Sequence, residues 1–299
     1  MDNMDYRIFT LKNESHKAFN ILKGILQGVL IDGKIVPEEK EEIERWVQEN
    51  EFLARYRACE DLFHNIEEIL KESSEDDLLE GIKDLLWLCD RLESEFDYYD
   101  NVTTDIQTLQ GVCHGIISDG MVSEEEILGM KEWLYAHAHL KGKFPYDEIF
   151  QAISCVLEDG KIEENERLFL LKLFNDFSDL KNPEILRKIE GKTSHLVTSL
   201  YSTDSRDIII KGNTFCLSGN FQNASKKVIA DKIESLGGFV KSSVSKKTNY
   251  LVVGEQGNPC WSYACYGRKV EKAMELNKQG AEIKIIPERA LFESFSQNS

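Results

Sequence analysis

The dipeptide Asp-Gly occurs three times in the first two-thirds of the chain, with its Asp at positions 32, 119 and 159. The flanking residues repeat with it: a β-branched residue follows each Asp by three positions, a glutamate by seven and an apolar residue by eleven. The equivalent residues are Ile35, Val122 and Ile162; Glu39, Glu126 and Glu166; and Ile43, Met130 and Leu170. Agreement at this many positions indicates an internal structural repeat.

These offsets place the apolar residues on one face of an α-helix. Pro37 and Ser123 suit a helix start, and Asp-Gly is typical of a sharp turn. We therefore predict three helical hairpins within an all-α domain spanning residues 1–190, each with one turn residue buried in the core. Residues 52–99 are expected to add further helices between the first and second hairpins.

The acidic residues of the repeat allow two interpretations. In the first, each Asp caps its own turn and each Glu stabilises the N-terminus of the next helix. In the second, each turn binds a divalent cation through its carboxylates, which are Asp32 with Glu39, Asp119 with Glu126, and Asp159 with Glu166. Because Ca²⁺ takes six or more oxygens and the EF-hand spacing is absent, we favour capping and expect no cofactor.

The repeat resembles the TerB-like helical domain, a family named for tellurite resistance. That family carries Asp-Gly turns followed by clustered glutamates. The resemblance implies a helical domain in which the acidic residues have a metal-binding role. The short turn motifs carry it better than the domain as a whole.

The charge of the chain is distributed unevenly. Residues 207–299 hold 13 lysines and arginines against 9 acidic residues (+4), whereas residues 1–206 hold 23 against 44 (−21), within a net charge of −17. An acidic surface repels nucleic acid, so we expect any DNA contact to lie in the C-terminal part. We expect the acidic part to contact a protein partner; solubility alone is the other explanation of its charge.

Other features of composition indicate a cytoplasmic protein, nucleoid-associated if it is bacterial. The first 20 residues lack the apolar core of a signal peptide, and no later run has the length of a membrane span. The seven cysteines are an odd number without a CxxC motif, which is typical of reduced thiols. No oligomeric state is predicted.

A different pattern begins after a Ser- and Thr-containing linker at residues 191–206. An apolar run at 214–217, the segment 244–253 that ends in Tyr-Leu-Val-Val, and a strand pattern at 283–286 alternate with helical patterns at 225–236 and 267–278. Strands that alternate with helices indicate a parallel sheet covered by helices on its faces. We therefore predict a separate α/β domain at residues 207–299.

This domain resembles a BRCT domain. The resemblance is carried by Leu217-Ser218-Gly219, by the Leu236-Gly237-Gly238 helix stop, and by residues 245–253 and 267–273. It is most similar to the single BRCT modules of replication factor C and bacterial NAD-dependent DNA ligases, which implies a three-layer fold with a four-stranded parallel sheet. The chain departs from those modules at 255–266, a longer insertion that contains Trp261, Tyr263 and Tyr266.

A phosphate-binding site is predicted where the first strand ends. The Ser218 hydroxyl and the unhindered Gly219 amide can donate to phosphate oxygens, and Lys269 near the start of the second helix supplies charge. By resemblance, these three residues fall on the family's phosphate-binding positions. Lys226 and Lys272 fall where the replication factor C module has basic residues for a 5′-phosphorylated DNA end.

No catalytic motif is present, because the ligase Lys-x-Asp-Gly, the phosphate-binding P-loop and the Gly-x-Ser-x-Gly elbow are all missing. We expect a non-enzymatic protein of DNA replication, repair or genome defence. Its BRCT domain would bind a 5′-phosphorylated end or nick while the acidic domain contacts a partner. The alternatives are an adaptor that reads a phosphopeptide or bridges subunits, and a metal- or stress-response protein that uses the TerB-like repeat.

Overall fold

The chain consists of two compact units, Met1–Leu196 and Val197–Ser299. The structure is a computed structural model that describes residues 3–55, 57–72, 74–178, 180–194, 208–254 and 268–297. The aromatic residues Trp261, Tyr263 and Tyr266 of the predicted insertion lie outside the described residues, as does most of the predicted linker. None of the described helices is both long and apolar enough to cross a membrane.

The first unit is built from α-helices, as predicted. Its helices are α1 (Asn3–Val29), α2 (Pro37–Glu49), α3 (Arg57–Ile69), α4 (Glu75–Leu92), α5 (Asn101–Ile116), α6 (Glu124–Ala136), α7 (Tyr146–Val156), α8 (Glu164–Phe177) and α9 (Pro183–Thr193). Short 3-10 turns lie at Glu51–Arg55, Glu93–Glu95 and Ala138–Leu140. Because α9 extends to Thr193, the first residues assigned to the linker are helical instead.

The three predicted hairpins are α1–α2, α5–α6 and α7–α8, each turning at its Asp-Gly pair. The glycines Gly33, Gly120 and Gly160 have φ values of 74°, 76° and 73°. This left-handed conformation has no steric cost for glycine, so the dipeptide is suited to the sharp turn. The β-branched residue three positions after the Asp is buried in the first two turns, at Ile35 and Val122. At Ile162 it is half-buried, so the third turn lacks the predicted fully buried residue.

Helices α1 and α5 cross at unusually close range. A Cβ atom on Gly24 would overlap the carbonyl oxygen of Thr108, and one on Gly111 would overlap that of Ile21. Next to this crossing, the Asn20 side-chain amide donates to Gln107 Oε1 at 2.7 Å, and these residues are 87 positions apart. The first two Asp-Gly turns have the same separation. Equivalent positions therefore face each other, and the first two hairpins are related by an approximate twofold axis.

The second unit is the predicted α/β domain. Its elements are β1 (Thr214–Ser218), α10 (Lys226–Ser235), β2 (Phe239–Lys241), β3 (Tyr250–Val253), α11 (Arg268–Lys278), β4 (Lys284–Pro287) and α12 (Glu288–Gln297). The four strands are all parallel, in the order β2-β1-β3-β4. Phe215 and Leu217 of β1 pack with Ile229, Ile233 and Leu291 in a core between the sheet, α10 and α12. The four-stranded parallel sheet is confirmed.

Candidate anion-binding site

The end of β1 is held in a fixed position by the neighbouring strand. Ser218 pairs with Val253 of β3, and its carbonyl oxygen accepts a hydrogen bond of 2.9 Å from the Gly254 amide. Ser218 is 4% exposed. Gly219 has a φ of 80°, which allows the chain to leave the sheet sharply. The predicted Ser-Gly pair therefore lies at the end of a central strand, where parallel α/β sheets commonly bind ligands.

The loop after Gly219 is anchored by a residue that the sequence analysis did not identify. Glu288, the first residue of α12, is fully buried. Its carboxylate accepts hydrogen bonds from the backbone amides of Gln222 at 2.8 Å and Asn223 at 2.7 Å. A glutamate at a helix start is ordinarily explained by the helix dipole alone, so its sequence position gave no sign of this long-range contact.

Lys269 lies against the end of β1. It is the second residue of α11, and its ammonium donates to the carbonyl oxygen of Leu217 at 2.8 Å, directly before Ser218. It also hydrogen-bonds the thiol of Cys216, which is buried. Burial raises the pKa of that thiol, while Lys269 and Lys226 act in the opposite direction. The charges of both lysines therefore reach the Cys216 thiol, a residue that the sequence analysis treated only as a reduced thiol.

Lys226 adds a second positive charge. It opens α10 immediately after the N-cap Ser225, whose hydroxyl accepts a 3.4 Å hydrogen bond from the Val228 amide. The pKa of Lys226 is lowered, first by partial burial and then by repulsion from Lys269. The two cations are thus close enough to repel each other, and an anion between them would relieve that repulsion.

Lys272 differs from the other predicted lysines. It is exposed, and its ammonium forms an ion pair with Glu275 at 2.7 Å, one turn along α11. This contact lowers the pKa of the Glu275 carboxyl. An anion that approaches Lys272 would have to compete with that carboxylate. Among the predicted basic residues, the electrostatic evidence therefore couples Lys226 with Lys269 and not with Lys272.

The acidic residues of the helical repeat form the contacts that capping requires. Each Asp accepts a hydrogen bond through Oδ1 from the amide two residues later: Asp32 from Lys34 at 2.9 Å, Asp119 from Met121 at 2.7 Å and Asp159 from Lys161 at 2.9 Å. Each Glu accepts one from the amide three residues earlier: Glu39 from Val36 at 2.8 Å, Glu126 from Ser123 at 2.6 Å and Glu166 from Glu163 at 2.8 Å. The described residues contain no group of three or more His, Cys, Asp or Glu arranged to hold a metal ion. The divalent-cation interpretation stays a hypothesis.

Comparison with known proteins identifies the second unit. Residues 205–279 match the family described as BRCA1 C Terminus (BRCT) domain. The chain is 33% identical over 146 residues to a DNA ligase of Persephonella marina, covering 46% of this chain and 19% of the ligase. It is 38% identical over 100 residues to a DNA ligase of Carboxydothermus hydrogenoformans, covering 33% and 13%. A DNA ligase of Borreliella burgdorferi is 28% identical over 126 residues, covering 42% and 17%.

The chain therefore spans less than a fifth of the length of these curated relatives. No solved structure matches the chain. The resemblance of the helical unit to TerB-like domains stays a prediction.

Proposed function

We propose that this chain, whose second unit contains a BRCT domain at residues 205–279, is a non-enzymatic DNA-transaction protein that binds the phosphate of a DNA end or nick. In this proposal Ser218, Gly219 and Lys269 contact the phosphate and Lys226 flanks it. The helical unit contacts a protein partner. The similarity to DNA ligases supports a role in DNA metabolism, and the absence of Lys-x-Asp-Gly from the sequence supports a non-catalytic one.

The observation that carries the proposal is the position of Lys269, whose ammonium lies 2.8 Å from the carbonyl oxygen of Leu217 beside Ser218. The charge of Lys226 also acts at this place, since the two lysines repel each other. Two ammonium groups close together repel each other, and a phosphate group bound between them is attracted to both. The Ser218 hydroxyl and the Gly219 amide supply uncharged donors next to them. A terminal phosphate carries more charge than an internal phosphodiester, so such a site favours an end over continuous duplex.

The distribution of charge supports the same assignment of DNA binding to the second unit and protein binding to the helical unit. Residues 207–299 have a net charge of +4, whereas residues 1–206 have a net charge of −21. DNA binding through the second unit predicts that affinity falls with salt as counterions are released. An acidic helical unit does not add to that binding and is available for a protein.

The test compares a short duplex with a 5′-phosphate at one end against the same duplex with a 5′-hydroxyl, over a series of salt concentrations. Wild type is measured beside Ser218→Ala and Lys269→Ala. Lys227→Ala is the control, because it removes the same charge from an exposed neighbour of Lys226. We expect a preference for the phosphate that is lost in the first two variants and kept in the control.

Equal binding of the two duplexes by wild type would contradict the proposal. A phosphoserine peptide added as a competitor separates the adaptor function from DNA-end binding. Tight binding of that peptide, together with no preference for the phosphorylated duplex, would assign the same site to a phosphoprotein.

A further inference from the structure

A cleft of about 290 Å³ opens between the first two Asp-Gly turns and helix α8. The four carboxylates of these two turns, Asp32, Glu39, Asp119 and Glu126, all line it. The approximate twofold relation of the first two hairpins brings the two sets of carboxylates together. Asp159 and Glu166 of the third turn are not among its lining residues. The cleft is therefore formed by two of the three repeats. The third repeat has equivalent carboxylates outside the cleft, so it provides a control.

The floor of the cleft holds two buried carboxyl groups. Glu39 is 6% exposed and Glu126 is 7% exposed. Burial, followed by repulsion from the other cleft carboxylates, raises the pKa of Glu39 to about 8 and that of Glu126 to about 7, although a backbone hydrogen bond acts against each shift. Among the residues that the structure describes, no lysine or arginine forms an ion pair with any of the four carboxylates.

The cations at the rim contact other groups. Arg167 donates to the carbonyl oxygen of Val122 at 3.1 Å and lies 3.8 Å from Glu124. Lys192 donates to the carbonyl oxygen of Gly120 at 3.1 Å. These contacts hold the second turn from outside.

Burial raises the pKa of Asp119, while the charges of Lys188 and Lys192 act to lower it. The part of the floor left for a cation from elsewhere is therefore formed by Glu39 and Glu126.

The walls of the cleft are apolar. Val36, Met121 and Leu168 line it, and Val36 and Met121 are 37% and 53% exposed. Exposed hydrophobic side chains beside buried carboxylates match a long side chain that has an aliphatic stem and a charged end. Lysine and arginine have this character, and a bare metal ion does not use apolar walls.

Arginine fits the floor better than a metal ion. A compact cation needs several oxygens around one point, and the described residues offer no such group of three. One oxygen of Glu39 and one of Glu126 also accept hydrogen bonds from their own turns. A guanidinium carries five donors in a planar fork, so it can reach carboxylates that are spaced apart, and it is less strongly hydrated than an ammonium.

We propose that this cleft binds an arginine side chain from a basic segment of a partner protein, with the carboxylates of the first two turns at its charged end and Val36, Met121 and Leu168 along its stem. The inference rests on the part of the proposed function that gives the helical unit a protein partner. It does not depend on DNA.

The experiment measures binding of a fluorescein-labelled hexapeptide of alternating arginine and alanine to the full chain at physiological salt. Glu39→Gln and Glu126→Gln replace a carboxyl group, which can ionise against a bound cation, by an amide that cannot, and they keep an oxygen that accepts the capping hydrogen bond. Glu166→Gln is the matched control, because it makes the same change at the equivalent position outside the cleft. We expect the first two variants to weaken binding at least about tenfold, as the loss of a charged hydrogen bond does. The control should bind like wild type.

A second peptide, with citrulline in place of arginine, keeps the shape and removes the charge. Its binding should be undetectable; equal binding of both peptides would overturn the proposal. An equal loss of affinity in Glu166→Gln would also overturn it, since overall acidity would then explain the binding. A rise in the melting temperature of the chain on addition of Ca²⁺, without binding of the arginine peptide, would overturn the proposal and assign the cleft to a metal. Lys269→Ala should bind the peptide normally, so failure of the DNA experiment is distinguishable from failure here.

Discussion

Each unit of the protein holds like charges close together, but the two units do so in different ways. In the helical unit, Glu39 and Glu126 are buried and come from equivalent positions of an internal repeat. In the BRCT domain, Lys226 and Lys269 come from two helices that meet the end of one strand, and Lys226 is exposed. In both places the pKa shifts favour the uncharged form, because the pKa values of the glutamates are raised and that of Lys226 is lowered. The two proposals accordingly give the units ligands of opposite charge, a cation for the first and an anion for the second.

The largest effect is expected where the first two hairpins meet. Gly111→Ala would place a Cβ atom onto the carbonyl oxygen of Ile21, so α1 and α5 would have to separate. We expect a loss of roughly 3 kcal/mol or more in the free energy of unfolding, as for an overpacked core. The measurement is urea unfolding followed by far-UV circular dichroism. The control is Gly191→Ala, at a helical site with nothing within 4 Å, which should be neutral or slightly stabilising.

A second prediction concerns the pH dependence of the helical unit. The pKa of Glu39 is raised to about 8 in the folded protein from an ordinary value of 4.5, so the folded state holds a proton that the unfolded state releases. Its stabilising effect is complete below pH 4.5 and is lost as pH rises through about 8. Glu39→Gln should therefore be more stable than wild type by at least about 2 kcal/mol at pH 8, and nearly equal to it at pH 4.5. If the free energies of unfolding of the two proteins changed with pH in parallel, burial would not raise the pKa of Glu39.

A third prediction tests the support of the anion site. Glu288→Ala would leave the backbone amides of Gln222 and Asn223 without their buried acceptor. We expect the BRCT domain to lose about 2 kcal/mol of stability and the adjacent loop to exchange its amide hydrogens faster. Glu293→Ala on the same helix is exposed and serves as the control. Unchanged exchange in the loop of Glu288→Ala would mean that the carboxylate does not hold it.

The parts that the sequence predicted well depend on neighbours along the chain. The Asp-Gly turns, the glutamate caps and the strand that ends at Ser218 involve hydrogen bonds over two or three residues or simple apolar periodicity. The cleft, the Gly111 contact and the Glu288 anchor join residues far apart in sequence, at separations such as 66 for Glu288 and Gln222. Periodicity carries no information on which helices meet. The repeat suggested three equivalent acidic turns, and only packing makes two of them share a cleft.

The smallest expected effect separates two lysines of the predicted DNA-binding set. Lys226 lies in the field of Lys269 without an ion pair among the described residues, whereas the charge of Lys272 is compensated by Glu275. Lys226→Ala should weaken binding of the 5′-phosphorylated duplex several-fold and lower the salt dependence by about one ion, as expected for one lost phosphate contact. Lys272→Ala should change affinity less than about twofold, because a compensated surface charge contributes little. Affinity measured at three salt concentrations distinguishes the two, and equal effects would mean that the anion lies along α11 rather than between α10 and α11.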